Sequence, residues 1–249
     1  MNEGIYNPFT LKGRKVLVTG ASSGIGQGIA IACSQAGASV ILNGRNETRL
    51  AETIALMKEG EHRIVAADLT DALSVKDAVS MLPGLDGIVH CAGIGQRIPC
   101  RELREDDIDE VMNTNFKAPV MLQAEILRQK KMNREGSIVF IASIAAESPS
   151  MGNAVYSASK GAIISYANCL GIELAPRHIR VNCISPAMVR TGLIFKGAVT
   201  EEALKADEAR YPLKRYGTPK DIAYLTVYML SEASAWMTGS NVKITGGGK

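Results

Sequence analysis

The chain has 249 residues, of which 46% are hydrophobic and 21% charged, and its formal net charge is +3. This is a globular composition that suits one α/β domain over 1–249, and so small a charge gives no support for nucleic-acid binding. The start lacks the basic and apolar regions of a signal peptide, and no apolar run reaches the ~20 residues of a membrane span, so we expect a cytoplasmic protein without a membrane partner.

The five cysteines have no CxxC spacing, and their number is odd. This pattern predicts buried free thiols in a reducing compartment, with no disulfide framework and no metal site. The cysteines are Cys33, Cys91, Cys100, Cys169 and Cys183.

The first predicted strand, Lys15 to Thr19, is followed by a glycine-rich turn and then by a helical pattern that extends to Ala36. Glycines let a backbone approach a ligand closely, and the amino terminus of a helix presents free N–H groups to a pyrophosphate. The alternative is a tight turn that binds nothing. We predict a dinucleotide site, with contacts from Gly20, Ser22, Ser23, Gly24, Ile25 and Gly26.

The second predicted strand, Ser39 to Asn43, is followed by Gly44 and Arg45. In dinucleotide-binding folds an acidic residue here binds the ribose 2′-hydroxyl, whereas an arginine accommodates a 2′-phosphate. The absence of a carboxylate and the presence of Arg45 favour NADP(H), while NAD(H) remains possible if Arg45 only faces water. Asp68, with Leu69 beside it, follows the third strand and is expected at the adenine.

Strands and helices alternate along the remainder of the chain, which predicts a Rossmann-type doubly wound, seven-stranded parallel sheet with helices on both faces. One long helix is expected over Arg104 to Lys131, with its pattern interrupted near Asn115 and a bend at Pro119. A flexible substrate flap is expected at about 191–217. The other predicted helices are 48–59, 74–82, 153–175, 201–208 and 219–230, and the other strands are 63–67, 87–91, 137–142, 180–184 and 241–245.

Tyr156 and Lys160 lie four residues apart in a helical pattern, so their side chains share one face. A cation near a phenol favours the phenolate. Lowering the pKa of a tyrosine from ~10 to near neutrality takes about 4 kcal/mol, more than one partly hydrated lysine supplies. If this pair transfers protons, a second positive charge must lie nearby; otherwise the two are ordinary surface residues.

Taken together, these motifs resemble those of the short-chain dehydrogenase/reductase family over residues 11–248. The turn from Thr19 to Gly26 matches TGxxxGxG, and Tyr156 with Lys160 matches YxxxK, thirteen residues after Ser143. Asn115 matches the family's catalytic asparagine, and 182–191 and 238–247 resemble its later motifs. The layout is most similar to 3-oxoacyl-[acyl-carrier-protein] reductases of fatty acid biosynthesis and to related sugar or alcohol dehydrogenases.

The resemblance implies that Tyr156 exchanges a proton with the substrate oxygen and that Lys160 binds the nicotinamide ribose. The oxidised nicotinamide would supply the second positive charge. Ser143 would bond the substrate carbonyl, and Asn115 would hold a water of the proton relay. Further cofactor contacts are expected from Cys91, Ala92, Gly93, Pro186, Val189 and Thr191, in addition to Tyr156 and Lys160 themselves.

Three residues depart from the family pattern. Cys91 replaces the asparagine of the motif NAG, which is expected to loosen the adenine side. Ala187 replaces a glycine beside the nicotinamide. Ser23 stands where many NADP-dependent members have a basic residue, so NADP preference rests mainly on Arg45.

The substrate class stays open on the sequence. A ketone or 3-oxoacyl thioester, small or carried by an acyl carrier protein, is the leading expectation. A sugar, polyol or small-alcohol dehydrogenase is the alternative, and a non-catalytic dinucleotide-binding module is a third. By resemblance, Arg134 and Arg177 would meet the acidic carrier near the active-site mouth, and the chain would form a homotetramer or a dimer.

Overall fold

Seven parallel strands form one sheet in the computed structural model, which describes residues 6–192 and 200–248. Their order across the sheet is β3-β2-β1-β4-β5-β6-β7. The predicted fold class is therefore confirmed. The strands are β1 (Lys15–Thr19), β2 (Ser39–Gly44), β3 (Arg63–Ala66), β4 (Leu85–His90), β5 (Met132–Ile141), β6 (Arg180–Pro186) and β7 (Asn241–Ile244).

At least one α-helix connects every two consecutive strands, as a doubly wound sheet requires. The predicted bounds of the helices at 201–208 and 219–230 are confirmed, whereas the second helix ends at Ala55, before the predicted Glu59. The helices are α1 (Gly24–Gln35), α2 (Glu47–Ala55), α3 (Ala72–Ser80), α4 (Glu105–Met112), α5 (Ala118–Arg128), α6 (Ala154–Leu174), α7 (Glu201–Glu208) and α8 (Pro219–Leu230).

The prediction of one long helix over 104–131 is wrong, because two α-helices are separated there by a π-helical turn, Asn113–Lys117. In this turn the N–H of Ala118 bonds the carbonyl of Asn113, five residues back, where an α-helix would use residue 114. Pro119 lies in the first turn of α5, which suits a residue without an N–H. The bend predicted from Pro119 thus takes the form of a widened turn that precedes it.

Apolar side chains cover both faces of the sheet, so β1, β2, β4 and β6 are buried almost throughout, whereas the edge strands β3 and β7 are partly exposed. One core joins the sheet to α1, α2 and α8, and the other joins it to α3, α5 and α6. Fully buried members of the first include Val16, Ile29, Val40, Leu50 and Ala223, and those of the second include Ile88, Ile126, Ile138 and Val181.

The strand order reverses direction between β1 and β4, because the chain runs outward to β3 and then returns to the other side of β1. In such sheets ligands bind beyond the carboxyl ends of the strands at this switch point. The ends of β1 and β4 are Thr19 and His90, so the residues that follow them occupy the expected ligand position.

The prediction of buried thiols is confirmed for Cys33 and Cys183 and wrong for Cys100 and Cys169, which are exposed. All five cysteines are unpaired. In the part of the chain that the structure describes, no helix is both long enough and apolar enough to cross a membrane.

Candidate active site

The glycine-rich turn after β1 is shaped by contacts that exclude side chains. Gly20 has a φ of +67°, and a Cβ on it would lie 2.9 Å from the Cα of Ala92. A Cβ on Gly26 would lie 2.2 Å from the carbonyl oxygen of Gly20. The side chain of Ser23, the N-cap of α1, accepts no N–H bond. The turn therefore brings bare backbone and the amino terminus of a helix to the switch point, an arrangement that suits a pyrophosphate.

Thr19 ties the ends of β1 and β4 together, a role that the sequence motifs had not assigned to it. Its Oγ1 accepts bonds from the N–H groups of Cys91, at 3.0 Å, and Ala92, at 3.1 Å. These bonds do not depend on the side chain of residue 91, so the loop keeps its place although Cys91 replaces the family's asparagine. Burial raises the pKa of the Cys91 thiol to about 12, which keeps it neutral.

Arg45 and Asp68 flank the predicted adenosine position. A Cβ on Gly44 would lie 3.5 Å from Oγ of Ser22, which places that serine beside the end of β2. Thr70 donates its N–H, at 2.9 Å, and its hydroxyl, at 2.7 Å, to Oδ1 of Asp68. These two bonds, and to a smaller degree the charge of Arg45, hold the pKa of Asp68 below its usual value. Asp68 is thus an ionised acceptor close to Arg45.

Tyr156 and Lys160 share one face of α6, as predicted. Nζ of Lys160 lies 5.8 Å from the centre of the Tyr156 ring and donates to the carbonyl of Ile141 at 2.9 Å. Lys160 is buried, whereas Tyr156 is partly exposed. The ammonium is therefore held at the end of β5, close to a phenol that a substrate can reach.

Ser143 caps a 3-10 turn, Ile144–Ala146, directly after β5. Its Oγ accepts the N–H of Ala145 at 3.1 Å. Because this bond uses a lone pair of the oxygen, the hydroxyl proton is left to be donated to another acceptor. A substrate carbonyl is such an acceptor.

Asn115 is buried in the π-helical turn, and its side-chain amide is fully engaged. Its Oδ1 accepts the N–H of Ile94 at 2.8 Å, and its Nδ2 donates to the carbonyl of Ile94 at 2.9 Å and to Oγ of Ser159 at 3.2 Å, so both N–H groups of the amide are engaged. A Cβ on Gly93 would lie 3.1 Å from Oδ1 of Asn115 and 3.5 Å from Nζ of Lys160, so Gly93 fills the narrow space between these two residues. Asn115 therefore lies close to Lys160.

Sequence reasoning missed Ser159 although it stands inside the motif that was singled out. The helical pattern itself contains a signal, since Ser159 shares a face with the apolar Val155 and Ile163 and is therefore expected to be buried. A buried hydroxyl requires a hydrogen-bond partner. What the pattern does not contain is the identity of that partner, Asn115, which is 44 positions away in the sequence.

The segment after β6 contacts both the turn and the flap. A Cβ on Gly24 would lie 3.3 Å from Thr191, so this threonine borders the glycine-rich turn. Val189 pairs with Gly217 in a single parallel bridge. Pro186 ends β6, and the N–H of Ala187 bonds the carbonyl of Ile244, so replacing glycine by alanine here costs no backbone bond. Part of the predicted flap, 193–199, lies outside the described residues.

Arg134 and Arg177 lie at the opposite edge of the sheet. Arg134 is in the first part of β5 and Arg177 follows the last turn of α6. Tyr156 and Arg177 are 21 positions apart in the sequence, which corresponds to roughly 30 Å of helix. The expectation that these arginines border the mouth of the site is therefore wrong within one chain, because α6 runs from the tyrosine to the far edge.

His90 lies in the core at the end of β4. It is buried, its Nε2 lies 3.0 Å from Oε1 of Gln123, and its ring stacks on Phe140 with 4.5 Å between the ring centres. Burial lowers the pKa of His90 to about 4. Within 6–192 and 200–248, no three His, Cys, Asp or Glu side chains come together as a metal site.

The chain is similar to known proteins over nearly its whole length. A family model described as "Enoyl-(Acyl carrier protein) reductase" matches residues 20–249. The chain is 35% identical to the 3-oxoacyl-[acyl-carrier-protein] reductase of Chlamydia pneumoniae, over 96% of this chain and 98% of the relative. It is 33% identical to a glucose 1-dehydrogenase of Gluconobacter oxydans, over 94% and 91%. A solved structure from Beutenbergia cavernae, with bound NADP at low occupancy, shows a TM-score of 0.86 at 31% identity, over 97% and 98% of the two chains.

Proposed function

The chain belongs to the short-chain dehydrogenase/reductase family of oxidoreductases, and we propose that it transfers a hydride between NADP(H) and a 3-oxoacyl thioester or a related ketone. The observation that carries this proposal is the convergence of four side chains at the carboxyl ends of the central strands. Ser143 follows β5, Tyr156 and Lys160 begin α6, and Asn115 lies against the lysine. A module that only bound a dinucleotide would need no such set.

The residues at the switch point fit a phosphorylated dinucleotide. The turn Gly20–Gly26 offers bare backbone and a helix amino terminus to the pyrophosphate. Arg45, exposed at the end of β2, would bind the 2′-phosphate that distinguishes NADP from NAD. Asp68 has Oδ1 occupied by Thr70, which leaves its other oxygen for the adenine amine. The bound NADP of the Beutenbergia cavernae structure supports the same preference.

In the proposed reduction, bound NADPH supplies the hydride. The Ser143 hydroxyl donates to the carbonyl oxygen of the substrate and orients it. Tyr156 gives that oxygen its phenolic proton as negative charge develops, and the Lys160 ammonium stabilises the phenolate that remains. Since Lys160 is held by the carbonyl of Ile141, its charge stays in place through the reaction.

Asn115 enters this scheme through its backbone. Both N–H groups of its side-chain amide are already bonded, to Ile94 and Ser159, and its Oδ1 accepts from Ile94. Its carbonyl, however, has Pro119 four residues further on, and proline has no N–H to donate. We therefore assign to the Asn115 carbonyl the water that returns a proton to Tyr156.

The second candidate is oxidation of a sugar or polyol. The similarity to the glucose 1-dehydrogenase of Gluconobacter oxydans favours it, because that relative is nearly as close as the reductase. The same residues serve this direction, with Tyr156 as the base that takes the hydroxyl proton.

The test is a substrate panel with the purified chain. Oxidation of NADPH and of NADH is followed with acetoacetyl thioester, beside reduction of NADP⁺ and NAD⁺ with glucose, gluconate and ribitol. We expect NADPH with the thioester to give the highest kcat/KM. A higher value for a sugar would establish the second candidate, and binding of NADPH without turnover of any substrate would contradict both.

We also propose a homo-oligomer, a tetramer or a dimer. Large apolar side chains are exposed on α5 and α6, among them Met121 and Ile172, and a second copy would cover them. If the substrate arrives on an acyl carrier protein, Arg134 and Arg177 of one chain lie too far from that chain's own Tyr156 to guide it there.

A further inference from the structure

Ser159 precedes Lys160 on α6, and it has no exposed surface. Its hydroxyl donates to the backbone carbonyl of Tyr156 at 2.7 Å and accepts from Nδ2 of Asn115 at 3.2 Å. The direction of both bonds is fixed, because a carbonyl can only accept. The single hydroxyl proton therefore points to Tyr156, and a lone pair faces the amide of Asn115.

The amide of Asn115 has two N–H groups, and each has one acceptor among the described residues. One is the carbonyl of Ile94, and the other is Oγ of Ser159. Without Ser159, Ile94 would bond only one N–H of the amide, and the second N–H would be buried without a partner. Ser159 thus completes the set of bonds that fixes Asn115, and it connects the π-helical turn directly to the helix of Tyr156 and Lys160.

We infer that Ser159 is a positioning residue for the reduction, and that it acts through Asn115. It holds the turn that carries the Asn115 carbonyl at a fixed place relative to Tyr156, so that a water on this carbonyl can pass a proton to the phenol. Lys160 has its own bond to Ile141 and does not depend on Ser159. The inference rests on the proposed function, whose proton transfer it deepens.

A serine within a helix often donates to a carbonyl three or four residues earlier and does nothing else. Ser157, on the same helix, provides the matched control. Its Oγ is buried and has no hydrogen-bond partner among the described residues. Removing that hydroxyl leaves no buried group without a partner, whereas removing the hydroxyl of Ser159 leaves an N–H of Asn115 unpaired.

The experiment compares Ser159→Ala with Ser157→Ala in steady-state reduction of the best ketone of the substrate panel. We expect Ser159→Ala to lower kcat about tenfold, with KM and the Kd for NADPH within twofold of the parent. Ser157→Ala should keep all three values. An equal loss in both variants, a loss confined to KM, or no loss in Ser159→Ala would overturn the inference.

A double-mutant cycle separates positioning through Asn115 from a general effect on packing. In an Asn115→Ala background Ser159 has no amide to hold, so Ser159→Ala should then change kcat less than twofold. A further tenfold loss in that background would show that Ser159 acts by another route. If Ser159→Ala does not give folded protein, Ser159→Cys serves in the same cycle, because its thiol fills the site and is a weaker acceptor than the hydroxyl.

These outcomes are distinct from a failure of the proposed function. If the unmodified chain reduces no ketone of the panel, the reductase proposal fails before Ser159 is tested. If the unmodified chain is active and Tyr156→Phe is not, while Ser159→Ala equals Ser157→Ala, the function stands and only the role of Ser159 is lost.

Discussion

Two regions that border the candidate site are held by different kinds of contact. We call the first the tyrosine cluster, formed by Asn115, Tyr156, Ser159 and Lys160. Its hydrogen bonds are buried or partly buried and run mainly to backbone carbonyls. The second is α7 of the flap, which is joined to the segment after β6 by ion pairs of Arg190 with Glu208, at 2.6 Å, and Glu201, at 3.3 Å.

The two kinds of contact respond differently to salt and to the loss of one partner. A buried hydrogen bond is protected from salt, and losing one partner leaves the other unpaired at a cost of about 1–3 kcal/mol. A partly exposed ion pair is screened by salt and contributes less to stability. The tyrosine cluster is therefore suited to fix the geometry of a reaction, whereas the ion pairs of α7 can form and break at a smaller cost in free energy.

The largest effect is expected from Tyr156→Phe. The phenylalanine keeps the ring on α6 but has no proton to donate, so turnover should fall at least ~10²-fold. The Kd for NADPH should be nearly unchanged, because Lys160 keeps its bond to Ile141. The measurement is steady-state reduction together with a fluorescence titration of NADPH.

Tyr224→Phe is the matched control for Tyr156→Phe, since Tyr224 is an exposed tyrosine on α8. It should keep the activity of the parent. Near-normal turnover of Tyr156→Phe would refute the role given to Tyr156, and with it the view that the tyrosine cluster performs the proton transfer.

His90, which stacks on Phe140, should make the stability of the folded chain sensitive to acid. Its pKa is about 4 in the folded chain, below its ordinary value of 6.5, so the unfolded chain binds more protons between these two values. The stability it contributes is complete above pH 6.5 and is lost as the pH falls toward 4. From pH 7 to 5 the free energy of unfolding should fall by about 2 kcal/mol.

Urea unfolding of His90→Asn tests this expectation through the dependence of the unfolding free energy on pH. The absolute free energies are not compared, because the substitution removes a buried ring and lowers stability at every pH. The dependence between pH 7 and 5 should be weaker in His90→Asn than in the parent. His178→Asn changes an exposed histidine at a left-handed position that asparagine tolerates, and it should keep the full dependence. Parallel slopes for all three chains would exclude His90 as the acid-sensitive group.

Much of this arrangement could be predicted from the sequence. The alternation of strands and helices predicted the sheet, and the motif spacing predicted that Ser143, Tyr156 and Lys160 follow or flank β5. The π-helical turn at Asn115 could not be predicted, because a widened turn and a proline bend share one sequence pattern. The position of Arg134 and Arg177 could have been predicted, because a helix that connects two parallel strands ends at the edge where the next strand begins.

Arg190→Gln should produce a smaller change, confined to the flap. The substitution removes the ion pairs with Glu208 and Glu201, so KM for substrate should rise about two- to fivefold while kcat stays within twofold. Arg210→Gln, which removes the more exposed pair with Asp207, is the control and should leave KM unchanged. The parent enzyme in high salt should approach the KM of Arg190→Gln, since salt screens the same contact.

A fall in kcat with an unchanged KM in Arg190→Gln would contradict the division between the two regions. It would mean that the flap helix takes part in the geometry of the reaction itself, a role that the buried hydrogen bonds of the tyrosine cluster should fill alone.

The smallest effect is expected within the cluster's own helix, at Gly161, where an added Cβ would meet nothing within 4 Å. In mid-helix, alanine is favoured over glycine by about 0.5–1 kcal/mol, so Gly161→Ala should raise the melting temperature by roughly 1–4 °C and keep kcat. Gly28→Ala in α1 is the contrast, because its Cβ would lie 2.7 Å from Pro219 and should destabilise the chain. If Gly161→Ala is destabilising instead, another surface must cover that face of α6 in solution, and a second copy of the chain, sought by sedimentation of both variants, becomes the first candidate.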